Sequence, residues 1–72
     1  MAAVNIILKN NGAAGVTVQL TDQYGGFFEV TIDPGMSQNQ TVMDGSGIVI
    51  NASTVHLVSA ENDEGKEIVI AE

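Results

Sequence analysis

Residues 27–35 read FFEVTIDPG, and this stretch decides the fold class that the sequence predicts. Between residues 28 and 32 apolar and polar side chains alternate, which is the two-residue period of a β-strand with one buried face. The Asp-Pro-Gly that follows predicts a turn, because proline fixes φ at the second turn position and Gly35 accepts the positive φ of a type II turn. We therefore predict a strand that ends in a tight turn, and we expect this strand to lie at the centre of the fold.

Similar units of strand and turn occupy the rest of the chain. Short alternating or apolar segments are separated by turns rich in Gly, Asn and Asp. The predicted strands cover residues 3–9, 16–22, 27–32, 36–43, 48–52, 54–60 and 66–72. This pattern of about seven short strands predicts an all-β fold over a single domain, residues 1–72. We expect a small antiparallel β-sandwich of the Ig-like kind, with a small barrel as the alternative.

Three segments carry expectations of their own. Segment 36–43 is polar on both faces, so it buries little and is expected at a sheet edge or partly as a loop. Segment 48–52 is apolar on both faces, which is typical of a strand buried on both sides. The last segment, 66–72, is expected either to be tied into a sheet or to be offered to a neighbour.

Segment 54–60 is open to two interpretations. As a strand, it places four side chains in two pairs on opposite faces: Val55 with Leu57, and His56 with Val58. A helix over residues 53–61 is the alternative, since Ser53 is a suitable N-cap residue. The β-branched side chains in this segment lower helix propensity, so we predict a strand.

Size and charge exclude several classes of function. The 72 residues include nine acidic and two basic residues, so the net charge is −7. A nucleic-acid-binding domain needs a basic surface, and an anionic membrane would repel this chain. A domain this small buries only about 60% of its unfolded surface and usually needs a further source of stability. The chain has no cysteine, so association with itself or with a protein partner is the expected source.

The ends of the sequence predict where the protein resides. No segment approaches the ~20 apolar residues of a membrane span. The first residues, MAAVNIILKNN, lack the basic region of a secretory signal peptide. We therefore expect the protein in the cytoplasm, or in a virion assembled there.

Candidates for chemistry are few. His56 is the only histidine, and no serine lies in the G-x-S-x-G pattern that presents a nucleophile. The glycines do not form a phosphate-binding motif. The sequence therefore predicts a protein that is not an enzyme and that has no cofactor. A weak calcium site is conceivable where four carboxylates cluster, although their spacing does not fit an EF-hand loop. These candidate ligands are Glu61, Asp63, Glu64 and Glu67.

Apolar residues on predicted outer faces are more informative. In the strand phases chosen here they are Ile7, Phe27, Val49, Val58 and Val69. One explanation is an error of one residue in phase, because such a slip exchanges the two faces of a strand. The other is a patch that binds another subunit. We predict a partner interface from the following residues: Phe27, Tyr24, Ile7, Val49 and Val69.

The resulting hypothesis is a non-enzymatic structural or assembly protein, forming a homo-oligomer or a larger assembly. Its most concrete form is a small virion component, such as a phage capsid decoration or head–tail protein. The alternative is an Ig-like binding module that recognises a peptide or carbohydrate through loops 10–15 and 22–26, with Tyr24 and Phe27 as anchors. A third class, a calcium-stabilised adhesion module, depends on the acidic turn and predicts a melting temperature that rises with Ca²⁺.

Overall fold

The computed structural model describes residues 3–72. These residues form seven strands and one short helix: β1 Ala3–Asn10, β2 Val16–Thr21, β3 Phe27–Ile32, β4 Ser37–Met43, β5 Gly47–Ile50, β6 Ser53–Leu57, α1 Ala60–Asp63 and β7 Glu67–Ala71. The strands make a three-stranded sheet in the order β4-β1-β7 and a four-stranded sheet in the order β3-β2-β5-β6. The predicted sandwich-like all-β fold is confirmed, and the alternative of a closed barrel is not formed by the described strands.

The core lies between the two sheets and follows from the alternation of apolar residues. Nine apolar side chains from both sheets and from the segment after β6 are buried there: Val4, Ile6, Leu8, Val18, Leu20, Ile32, Val42, Ile48 and Val58. Each such side chain contributes about 1.5–3 kcal/mol when fully buried. The inner face of β1 supplies three of the nine, so β1 is the main core strand of the three-stranded sheet.

The position predicted for the strand in segment 27–35 is wrong, although its phase is confirmed. Ile32 is buried and Phe27 is exposed, as the alternation requires. However, β3 is an edge strand, and β2 and β5 occupy the middle of the four-stranded sheet. Alternation reports which face of a strand is buried and says nothing about how many neighbours the strand has. The turn itself is confirmed, since Gly35 has φ +77°.

The buried side-chain amide of Asn10 joins two parts of the chain at one end of the fold. The Asn10 side chain donates from Nδ2 to the carbonyl oxygens of Ala14 and Ile32, both at 2.9 Å. Its Oδ1 accepts from the N–H of Gly12 at 2.8 Å. Asn10 is thus a fully bonded buried polar residue that joins the β1–β2 loop to the end of β3, where the sequence pattern predicts only a turn.

The three-stranded sheet contains both a confirmed prediction and a correction. The polar strand β4 lies at the sheet edge, as predicted. The terminal strand β7 is tied into the sheet beside β1, but the pair is parallel, with Ile7 opposite Glu67 and Lys9 opposite Val69. The expectation of a purely antiparallel fold is therefore wrong at this pair. Pairing direction depends on the path of the chain between the strands, which side-chain alternation does not encode.

In segment 54–60 only residues 54–57 belong to a strand, β6, as predicted; residues 58–60 lie beyond its end, and Ala60 begins α1. The two faces of the strand are also exchanged. Thr54 lies opposite Val49 and His56 lies opposite Ile48, so Val55 is an extra residue in a β-bulge. As a result Val55 and Leu57 are exposed, and Val58, predicted on an outer face, is in the core. A bulge shifts the phase of a strand by one residue, which is the slip that alternation alone does not detect.

The helix α1 is a single turn that connects β6 to β7. Ser59 is its N-cap, and the Ser59 Oγ accepts from the N–H of Asn62 at 3.1 Å. Across residues 3–72, no helix has the length and apolar character that crossing a bilayer requires.

Candidate functional site

The four-stranded sheet has one side that faces away from the core, and this side carries large exposed apolar side chains. Strand register assigns ten residues to this side, which we call the outer face: Thr17, Gln19, Thr21, Phe27, Glu29, Thr31, Gly47, Val49, Thr54 and Leu57. A hydrogen bond of 3.1 Å between the hydroxyls of Thr17 and Thr31 shows two of them side by side. Glu29 is the only charged residue of the ten.

One row of residues across the outer face has a large apolar side chain at each end and two smaller residues between them. Phe27 lies opposite Thr21, and Leu57 lies opposite Gly47. Because Gln19 is paired with Val49, Thr21 and Gly47 are neighbours, and the four residues form a single row. With strands about 4.8 Å apart, the row places Phe27 and Leu57 roughly 14 Å from each other. Phe27 is 74% exposed and Leu57 is 68% exposed.

Gly47 is needed for the packing of this row. A Cβ at position 47 would lie 2.9 Å from the Thr54 Cγ2 and 3.8 Å from the Leu57 Cδ2. The side chains of Thr54 and Leu57 therefore lie over the space that glycine leaves open.

Tyr24 is presented by a well-bonded turn between β2 and β3. The Asp22 Oδ1 accepts from the N–H of Tyr24 at 2.8 Å and from the N–H of Gly26 at 3.0 Å. The Asp22 N–H donates to the Gly26 oxygen at 2.7 Å. Tyr24 is 86% exposed at the tip of this turn, three residues before Phe27. A rigid turn lowers the entropy that an exposed aromatic side chain loses when it binds.

The five predicted interface residues do not form one patch. Phe27 and Val49 lie on the outer face, and Tyr24 lies in the turn beside it. Ile7 and Val69 lie on the outside of the three-stranded sheet, where Val69 is on the edge strand. Sequence reasoning missed Leu57, because the bulge in β6 reversed its predicted face.

A cluster of three polar residues, His56, Ser59 and Asp63, joins β6 to α1. The His56 Nε2 lies 3.1 Å from the Asp63 Oδ1, and the Asp63 Oδ2 accepts from the N–H of Ser59 at 2.8 Å. The Ser59 hydrogen bond and the nearby His56 and Lys66 lower the pKa of Asp63, although its burial acts in the opposite direction.

Within residues 3–72, no hydrogen bond links the imidazole of this cluster to a serine hydroxyl. Among the hydrogen bonds of residues 3–72, His56 contacts only Asp63. The nearby serine hydroxyls are bonded to the backbone: Ser46 donates to the Met43 oxygen and Ser59 accepts from Asn62. The cluster fastens the helix to the edge strand β6.

The candidate calcium ligands are separated. Both carboxylate oxygens of Asp63 are engaged as described above, and Glu64 accepts from the backbone N–H and the side-chain Nδ2 of Asn5, each at 3.1 Å. Glu61 and Glu67 are exposed on the helix and on β7. Within residues 3–72, no group of three or more His, Cys, Asp or Glu residues is placed to hold a metal ion.

The surface depressions are shallow and open to solvent. One of about 290 Å³ lies over β1 and β4, lined in part by Asn5, Ile7 and Asn39. Another, of about 200 Å³, lies on the outer face beside Gln19 and Val49. These volumes fall at or below the lower end of the roughly 300–1,000 Å³ that small-molecule sites occupy. Comparison of the chain with protein-family models, with curated proteins and with solved structures finds no match.

Proposed function

We propose that this protein is a non-enzymatic assembly subunit, whose copies associate through the outer face of the four-stranded sheet. One observation supports this proposal above the others. Phe27 and Leu57 stand exposed in one row of a face that carries a single charged residue. Large exposed apolar side chains grouped on one face are typical of protein–protein contacts.

The energy available from this row is sufficient to matter. Fully burying a Phe or Leu side chain contributes about 1.5–3 kcal/mol, so the pair offers roughly 3–6 kcal/mol before binding costs are subtracted. Eight of the nine acidic residues lie outside the outer face, and the protein has a net charge of −7. A net charge far from zero favours solubility, so the rest of the surface opposes non-specific association.

The most concrete form of the proposal is a small virion component, such as a phage capsid decoration or head–tail protein. A repeating shell presents the same contact many times, so each copy needs only a small apolar surface. The small size, the missing cysteines and the acidic remainder support this form.

The experiment that tests the proposal is light scattering on a sizing column over a range of concentrations. The double variant Phe27→Ser/Leu57→Ser is compared with Met36→Ser, since Met36 is also exposed, at 57%, but lies in the β3–β4 turn. We expect the wild type and Met36→Ser to form the same larger species. The double variant should require roughly 100-fold or more higher concentration to do so. If all three proteins have equal masses at every concentration, the outer face is not an assembly contact.

A second candidate is supported by the rigid turn that presents Tyr24. On this alternative the protein is an Ig-like binding module that recognises a peptide or carbohydrate through its turns. Tyr24→Ala would then abolish ligand binding, whereas it would leave the mass of an assembly subunit unchanged. Carbohydrate and peptide arrays are probed with the wild type and with Tyr24→Ala. Binding that is lost in Tyr24→Ala supports the binding module over the assembly subunit.

A further inference from the structure

The terminal strand β7 pairs with β1 on one side, and none of the strands within residues 3–72 pairs with its other side. The N–H of Ile7 donates to the Lys66 oxygen at 3.0 Å, and the parallel register continues through Lys9 opposite Val69. In a parallel ladder of this register, alternate residues of β7 direct their peptide groups to β1. The peptide groups of Glu67 and Val69 therefore point away from β1, toward the open edge of the three-stranded sheet.

The other edge strands are less suited to pairing with another chain. The strand β6 is interrupted by a bulge, and β4 is polar along most of its length. The strand β3 carries Glu29 near its middle. By contrast, residues 68–70 of β7 read IVI, and Val69 is 42% exposed. An open edge with an uncharged apolar centre is the kind that natural proteins usually protect or use.

The charges at the two ends of β7 are opposite in sign, so they are complementary to those of a second, antiparallel copy of the same strand. Lys66 precedes the strand and Glu72 follows it, and the only other lysine, Lys9, lies on the internal strand β1. The strand β7 thus has a lysine directly before it and a glutamate directly after it in the sequence. In an antiparallel pair centred on Val69, Lys66 of each copy faces Glu72 of the other.

The same register also suits the apolar residues. Ile68 faces Ile70 of the second copy, and both residues pack half-buried against the end of the core. Val69 faces its counterpart, and its outward peptide group is oriented to form both hydrogen bonds of that pair. Glu67 faces Ala71, so the register brings no two carboxylates opposite each other.

We infer that β7 pairs antiparallel with β7 of a second copy of this chain, centred on Val69, and that the two three-stranded sheets become one six-stranded sheet. This inference deepens the proposed function by naming a second contact between copies. It uses none of the residues of the outer face, so the two contacts succeed or fail separately.

Charge reversal tests the register directly. The experiment measures the dimer dissociation constant by sedimentation equilibrium at 0.15 M salt, with Phe27→Ser/Leu57→Ser present throughout so that the outer face does not contribute. At this ionic strength the repulsion between distant charges is largely screened. Lys66→Glu or Glu72→Lys alone makes two cross-strand pairs repulsive, and each is expected to raise the dissociation constant about tenfold.

The double variant Lys66→Glu/Glu72→Lys restores opposite charges and should return the constant to within about threefold of its starting value. Positions 66 and 72 lie roughly 20 Å apart in one extended strand, so rescue cannot arise within a single copy. A monomer at all concentrations in the Phe27→Ser/Leu57→Ser background overturns the inference. So does a Lys66→Glu/Glu72→Lys protein that dimerises as weakly as the two single charge changes combined.

A backbone variant provides an independent measurement. Val69→Pro removes an N–H that faces the open edge and is not bonded to β1, a position where an edge strand tolerates proline. We expect dimerisation to be lost, while Val69→Thr, which keeps the N–H, still dimerises. Far-UV circular dichroism checks that both variants are folded. If a folded Val69→Pro protein dimerises as well as the Val69→Thr protein, β7 is not the contact.

Discussion

Replacing Asn10 by Ala should remove a large share of the stability of this domain. The substitution deletes the two bonds to the carbonyls of Ile32 and Ala14 and the one from the Gly12 N–H. Each hydrogen bond of this kind contributes about 1 kcal/mol net, and a partner left buried without one costs about 1–3 kcal/mol. We therefore expect a loss of roughly 3–4 kcal/mol, whereas a domain of this length has about 4–11 kcal/mol in total.

The assay is urea and thermal unfolding followed by far-UV circular dichroism. An unfolding entropy of about 2.1 cal/mol/K per residue converts a loss of 3 kcal/mol into a fall of about 20 °C in Tm. The matched control is Asn11→Ala, because Asn11 is the same residue type one position later and is exposed. The control should change stability by less than about 0.5 kcal/mol. If Asn10→Ala loses less than about 1 kcal/mol, the buried amide does not hold these connections together.

Three further predictions concern single residues. The lowered pKa of Asp63 means that its contribution to stability is present above about pH 4 and is lost as the pH falls through its folded-state pKa. Wild type and Asp63→Asn should therefore differ in unfolding free energy at pH 7 and converge in strong acid; a gap that is constant with pH would contradict this. Gly47→Ala should cost about 1–2 kcal/mol because its Cβ would lie 2.9 Å from a methyl of Thr54. Gly15→Ala, whose Cβ would meet nothing closer than 3.8 Å, is the control and should be neutral or slightly stabilising. Gly35→Ala should cost about 1 kcal/mol through backbone strain alone, since φ is +77° and the space around it is open; equal stabilities of Gly35→Ala and Gly15→Ala in chemical denaturation would refute that reasoning.

Local features of the fold are predictable from the sequence because they depend on neighbouring residues. The alternation in β2 and β3 and the turn at Gly35 are of this kind, and the structure confirms them. The edge position of β4 was also predictable, because a strand with polar residues on both faces gains little from burial on either side.

The rest depends on contacts between distant parts of the chain. Nothing in segment 66–72 shows that it pairs parallel to β1. The exposed position of Leu57 follows from a bulge in β6, and that bulge is defined only by the partner strand β5. Likewise, the buried state of Asn10 depends on the carbonyl of Ile32, which lies 22 positions later. An Asn in a turn sequence has the same local signal whether it is buried or exposed.

The pairing of β1 with β7 sets the order in which the protein can fold. Ile7 meets Glu67, sixty positions further along the chain, while β2 and β3 are joined by a short turn. Closing a long loop costs more entropy than closing a short one, and such pairings slow folding. The β2–β3 hairpin is therefore expected to form early. The sheet around β1 is therefore completed last: β4 can pair with one side of β1 earlier, and until β7 arrives the other side of β1 has no partner.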